Sequence, residues 1–139
     1  MSNQATFGSG GAILDQSGVA VLRNCILWSN TAGKTGPQIY SRNNATSVTY
    51  SDVEGGWSGT GNINSTPDFL LTGSHPYDIS EYSPCKDVGN NADVPPDVGD
   101  VDWDNNTTET LPLDLALGAR IFDSTVDLGA YEGPIGTVE

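Results

Sequence analysis

The sequence is short of positive charge. Five Lys and Arg residues (Arg23, Lys34, Arg42, Lys86 and Arg120) stand against eighteen Asp and Glu, a formal charge of −13 at pH 7. A chain this acidic repels nucleic acid and anionic lipid, so neither is expected as a partner. There is no eighteen-residue apolar run, which excludes a helical membrane span. A basic n-region followed by an apolar core is also missing, so no signal peptide is read in this chain. Helical periodicity never lasts three turns; the best window, 111–119, is broken by Pro112 and Gly118. The single histidine, His75, precedes Pro76 and reads as a loop residue. Nucleophilic triads fail for want of a supporting His, and Cys–His metal sites fail by count. Two cysteines, Cys25 and Cys85, make no disulfide scaffold. Cys25 shares its alternation with Leu27 and reads as a small buried residue; a Cys25–Cys85 bridge in an oxidising compartment is the alternative.

What the chain does have is a repeat. Shifted by 26 positions, Gly10 falls on Gly36, Ile13 on Ile39, Leu22 on Val48, Cys25 on Ser51 and Leu27 on Val53. Each unit has a short apolar segment (12–14; 38–40), a polar turn (15–18; 41–44) and a longer β-rich segment (19–28; 45–53). A fixed period in the twenties, with short strands and Gly/Asn turns, is the signature of a solenoid whose units must stack to bury their apolar faces. Asn62–Asn64 is expected to add a short rung. Thr66–Leu71 reads as a turn leading into an apolar anchor, and Val126–Tyr131 as a last strand, with 133–139 as a tail.

The segments Gly10–Ile13, Leu22–Asn30 and Val48–Gly56 resemble coils of bacterial right-handed parallel β-helix proteins, with pectate-lyase-like or polymorphic-outer-membrane-protein-like repeats. Ser83–Gly89 and Asp127–Glu132 resemble the segment that closes such domains at their C-terminal end. The resemblance implies an all-β fold: a short right-handed parallel β-helix of two to three coils with an irregular acidic closing segment. The chain is read as a single domain, 1–139, with coils over 10–66 and the closing segment over 67–139. The same resemblance implies an extracellular or cell-surface location, and a chain that is a fragment, a mature form or a product without its leader. It does not choose an activity, since such folds host lyases, hydrolases, adhesins and passive stalks alike.

The best candidate for chemistry is the acidic stretch containing Asp100, Asp102, Asp104, Asn106 and Glu109. Carboxylates at every second position can curl a loop so that oxygens converge, as Ca²⁺ requires. Asn105 stands where an EF-hand has its turn glycine, and Leu111 where it has the bidentate Glu. The alternative is a solvated acidic loop without metal. Trp28 and Trp57, just beyond the long strands, cover coil corners or, with Trp103, form stacking platforms for sugar rings. Family lyases resemble one another in using Ca²⁺ held by acids, with an Arg or Lys as base. That directs attention to Asp15, Asp52, Glu54, Arg23 and Arg42, with Asp52 and Glu54 outward if Val53 is inward. No residue is assigned as catalytic. Four Asn-x-Ser/Thr sites, at Asn44, Asn64, Asn105 and Asn106, are explained by turn chemistry without sugars.

The expected role is a non-catalytic structural or adhesive module, with Ca²⁺ as its cofactor. The alternative is a carbohydrate-active β-helix or a carbohydrate-binding module, with polysaccharide as partner. The first coil begins about ten residues into the chain, and residues 1–9 carry no charged side chain and no proline. Open strand edges pair unless blocked, and only Phe7 is available to anchor a cap. A homodimer through the N-terminal coils is therefore expected.

Overall fold

A computed structural model describes residues 2–133. The protein is all-β with almost no helix; among the described residues one 3-10 turn occurs, Asn91–Asp93. The 133–139 tail falls outside the described residues beyond Gly133. The chain divides between Thr66 and Pro67 into two compact units.

The first unit carries β1 (Gln4–Ala5), β2 (Ile13–Asp15), β3 (Val21–Arg23), β4 (Ile26–Leu27), β5 (Thr31–Ala32), β6 (Ile39–Ser41), β7 (Ser47–Thr49) and β8 (Asp52–Val53). They pair β1 with β5, β2 with β6, β3 with β7 and β4 with β8, all parallel, as four separate two-stranded sheets. Ile13 lies opposite Ile39, Leu22 opposite Val48 and Leu27 opposite Val53, the 26-residue offset of the sequence. A further level starts at Ile63, which forms a parallel bridge with Asp52. Its N–H donates to the Ser51 carbonyl at 2.9 Å, and its carbonyl accepts from Val53 N–H at 3.0 Å.

The longer β-rich segments are not single strands. Each is bent once, at Asn24 (φ 52°) and at the matching Tyr50 (φ 46°). A second matching pair of left-handed residues, Ser29 and Gly55, turns the chain after β4 and β8. Left-handed backbone costs a non-glycine residue ~1–2 kcal/mol, so packing must hold it there. The packing is a core of Leu22, Leu27, Ile39, Val48 and Val53, with Ala12, Ile13, Ala20, Cys25 and Trp57 against it. Burial of each such aliphatic side chain contributes ~1.5–3 kcal/mol before entropy is counted.

Three sequence expectations in this unit are corrected. Asp52 does not face outward: Ser51, Asp52 and Val53 are all buried, because the chain returns over them and Ser65 N–H donates to Asp52 Oδ1 at 3.1 Å. Phe7 anchors nothing and is 89% exposed. The N-terminal segment is tied instead by its backbone, with Thr31 N–H on the Asn3 carbonyl (3.0 Å) and Gly33 N–H on the Ala5 carbonyl (2.8 Å). Cys25 is half-buried rather than buried, and both cysteines are present as thiols.

The second unit has little ladder structure. Antiparallel bridges join Phe69 to Ile79, Pro96 to Thr110 and Leu113 to Ala119. The expected anchor over 66–71 is partial, for Pro67 is buried and Phe69 half-buried while Leu70 and Leu71 are exposed. The expected last strand over 126–131 is not a strand. Val126 and Leu128 are fully buried core residues, held by single bonds: Gly89 N–H to the Val126 carbonyl and Leu128 N–H to the Cys85 carbonyl, both 2.9 Å. Carboxylates do much of the joining. Asp127 accepts from Asp87 N–H and Gly133 N–H, both at 2.6 Å, and Asp114 Oδ2 accepts from Glu132 N–H at 2.9 Å. Glu132 forms an ion pair with Arg120, and both side chains are almost fully buried.

Candidate functional site

The acidic stretch is a closed loop of the second unit. Its neck is the Pro96–Thr110 bridge, tightened by Asp97 N–H on the Glu109 carbonyl and Leu111 N–H on the Pro95 carbonyl, both 2.8 Å. The two prolines fit here because neither neck bond needs a proline N–H: Pro95 accepts through its carbonyl, and Pro96 makes neither bond. Inside the loop Asp100, Trp103 and Asn105 are left-handed, with φ of 47°, 64° and 68°. Asn tolerates that geometry where the sequence comparison missed a glycine. Asp100 Oδ1 accepts from Asn105 N–H at 3.1 Å, and Asp104 Oδ1 from Asn106 N–H at 2.7 Å. Each carboxylate thus fixes the turn that follows it.

These turns bring oxygens together. Asp100, Asp102 and Asp104 offer carboxylate oxygens within 4.8 Å of one another, and so do Asp97, Asp102 and Glu109. Asp102 belongs to both groups. Oxygens so spaced can share a centre at roughly 2.4–2.6 Å, the Ca²⁺–oxygen distance, and an all-oxygen donor set suits a hard cation. Without a cation such carboxylates repel one another, and solvent screens that repulsion only in part. Burial, then the charges of Asp104, Asp102 and Asp97, push the Glu109 carboxyl above its ordinary range. Its Oε1 is buried without a hydrogen-bond partner, while Oε2 accepts from Asn106 Nδ2 at 3.1 Å.

Four of the five residues read from the sequence fall in these groups, Asp100 and Asp104 with Asp102 in one and Glu109 with Asp102 in the other. Asn106 takes another part, because its Oδ1 accepts from Thr108 N–H (3.2 Å) and Thr108 Oγ1 (2.9 Å). Asp97 was missed. It is almost fully buried, and its carboxylate accepts from Val101 N–H at 2.9 and 3.2 Å. Alternation along 100–104 carries no sign of it, since the pairing across the loop neck brings Asp97 to Glu109.

The remaining candidates have structural partners. Asp15 accepts from Gly18 N–H (3.0 Å), Thr46 Oγ1 (2.9 Å) and Ser41 Oγ (3.3 Å), and the Thr46 hydroxyl is the main reason its carboxyl is lowered. Glu54 Oε2 accepts from Ser29 N–H at 2.8 Å and Gln38 Nε2 at 2.6 Å. Arg23 and Arg42 are exposed. Trp28 is half-buried, and Trp57 packs on the core of the first unit. Trp103, in the second unit, is 86% exposed. His75 packs edge-on to Tyr131 with ring centroids 5.4 Å apart. The Asn-x-Ser/Thr asparagines are turn residues: Asn44 and Asn105 have positive φ, and Asn64 Oδ1 accepts from Gly55 N–H at 3.0 Å.

Among the described residues no helix is long and apolar enough to cross a membrane. No family model matches the chain, and neither a curated protein nor a solved structure matches it.

Proposed function

We propose that the chain is a non-catalytic structural or adhesive module of a bacterial extracellular or surface protein, built as a short right-handed parallel β-helix. The observation that carries this reading is the 26-residue register of the paired strands. Stacked repeats fill their interior with side chains and spend their polar groups on turns, as Asp15 and Glu54 do here. A module of this kind gains length and surface from its repeats rather than a cleft from its loops. Incubation with polygalacturonate and with a mixed glycan array tests it. The module leaves the polysaccharides intact; released oligosaccharides overturn the reading in favour of a carbohydrate-active enzyme, and retention without products favours a carbohydrate-binding module.

Ca²⁺ binding at the acidic loop is a second part of the reading, favoured by the unpartnered, buried Glu109 Oε1 beside Asp97 and Asp102. The chemistry the cation supplies there is charge neutralisation and cross-linking of the loop. Association of two copies through the first repeat is the third part. Leu14, Val19 and Val21 of that repeat are 49%, 70% and 55% exposed, and an isologous contact would cover them.

A further inference from the structure

The second unit carries an apolar groove of about 390 Å³, within the range of ligand pockets. Val101, Leu111, Leu113, Leu115, Leu117 and Ala130 line it. Leu115 and Leu117, 63% and 77% exposed, make the groove a contiguous apolar patch open to water. Their presentation is enforced. Asp114 Oδ1 accepts from Ala116 N–H (2.9 Å) and Gly118 N–H (2.7 Å), and Asp114 N–H donates to the Gly118 carbonyl at 2.9 Å. Leu117 is held between them at φ 66°.

The charge left unpaired around the groove is negative. Val101 belongs to the acidic loop, so Asp100 and Asp102 flank it, Asp102 exposed and Asp100 half-exposed. No Lys or Arg lies between Lys86 and Arg120 in the sequence. Arg120, at the groove itself, is committed to Glu132 and to the Gly129 carbonyl at 2.9 Å. A second copy of this chain would bring its own net negative charge to the contact.

We propose that this groove docks a partner-protein segment in which aliphatic side chains alternate with Lys or Arg. The aliphatic groups cover Leu115 and Leu117 while the cations meet the carboxylates of the loop.

Fluorescence anisotropy with labelled ten-residue peptides, in EDTA, tests it. The alternating Leu/Lys peptide is expected to bind saturably. Leu/Glu and Ser/Lys peptides of the same length should bind at least tenfold more weakly. The exposed pair Leu115→Ser/Leu117→Ser should weaken the Leu/Lys peptide at least tenfold with an unchanged melting temperature. Equal binding of Ser/Lys and Leu/Lys would mean charge alone and overturn the proposal. So would no saturable binding, or binding that the double variant leaves intact. Two other occupants are read in parallel. A dimeric mass lost only in the double variant assigns the groove to a second copy, and co-sedimentation with phosphatidylcholine vesicles, lost in that variant, assigns it to lipid. Either result overturns the proposal.

Discussion

Cys25 and Ser51 do the same work in successive repeats. The Cys25 thiol donates to the Arg23 carbonyl at 3.1 Å, and the Ser51 hydroxyl donates to the Thr49 carbonyl at 2.9 Å. The two are also joined directly, with Cys25 N–H donating to Ser51 Oγ at 3.1 Å. A small side chain with one donor is what the position needs. Cys25→Ser should therefore change stability by less than about 1 kcal/mol. Ser51→Ala, at a fully buried residue, removes the acceptor of the Cys25 N–H and should cost ~1–3 kcal/mol. Urea denaturation measures both, and equal effects would contradict the shared role.

Gly10 and Gly36 form a second matched pair. Both have positive φ, and a Cβ on either would lie 2.3 Å from a carbonyl oxygen, that of Ile13 or of Ile39. Alanine at either site should destabilise by at least ~2 kcal/mol, since steric overlap adds to the ~1–2 kcal/mol of left-handed backbone. Gly55 has φ 85° with open space around it, so Gly55→Ala should cost only the backbone part. Melting curves should show Gly55→Ala as the mildest of the three; an equal loss in all three would contradict the steric account.

Glu132 sets a pH dependence. Burial first, then the Asp127 carboxylate, push its carboxyl up to about 7, against the opposing Arg120 guanidinium. The folded state thus holds a proton that the unfolded chain releases near its ordinary value of 4.5. Between these values folding binds a proton, so stability is greatest toward the acidic end and falls as pH rises to about 7. Asp78, Asp127 and Glu109 are raised as well and act in the same sense. The melting temperature should fall from pH 5 to pH 8, with a shallower slope in Glu132→Gln. The slope is the readout, because the substitution also disturbs Arg120; an identical slope in the variant would remove Glu132 from the account.

In the acidic loop Asp102 is common to both oxygen groups. Millimolar Ca²⁺ should raise the melting temperature above its value in EDTA, by linkage to the folded state, and Asp102→Ala should abolish most of the rise. Asp97→Asn should weaken the response less, because Asp100, Asp102 and Asp104 persist as a group. A melt that is the same in Ca²⁺ and EDTA would remove the cation.

The spacing of Ile13 and Ile39, Leu22 and Val48, and Leu27 and Val53 was legible as strand register because stacked repeats put like residues in contact. The bends were not, since nothing in its identity marks Tyr50 as left-handed; only its match to Asn24 shows the pattern. Asp52 defeated alternation because its strand is two residues long and the returning chain covers its outer face while Val53 enters the core. Val126 and Leu128 read as a strand by composition, yet their partners at 85–91 meet them through single bonds that no local pattern records. Of the candidate site, Asp100, Asp102 and Asp104 were visible through local spacing, whereas Asp97 depended on pairing across the loop neck.

The most direct test of the stacked-repeat account is to duplicate residues 31–56, so that Thr31 of the copy follows Gly56 as Thr31 itself follows Asn30. If the register is that of a solenoid, the enlarged chain unfolds in urea in one cooperative transition. Its midpoint is then no lower than before, and its slope is steeper because more surface is exposed. Loss of cooperative unfolding, or a melt matching an unchanged fold with a disordered insert, would contradict it.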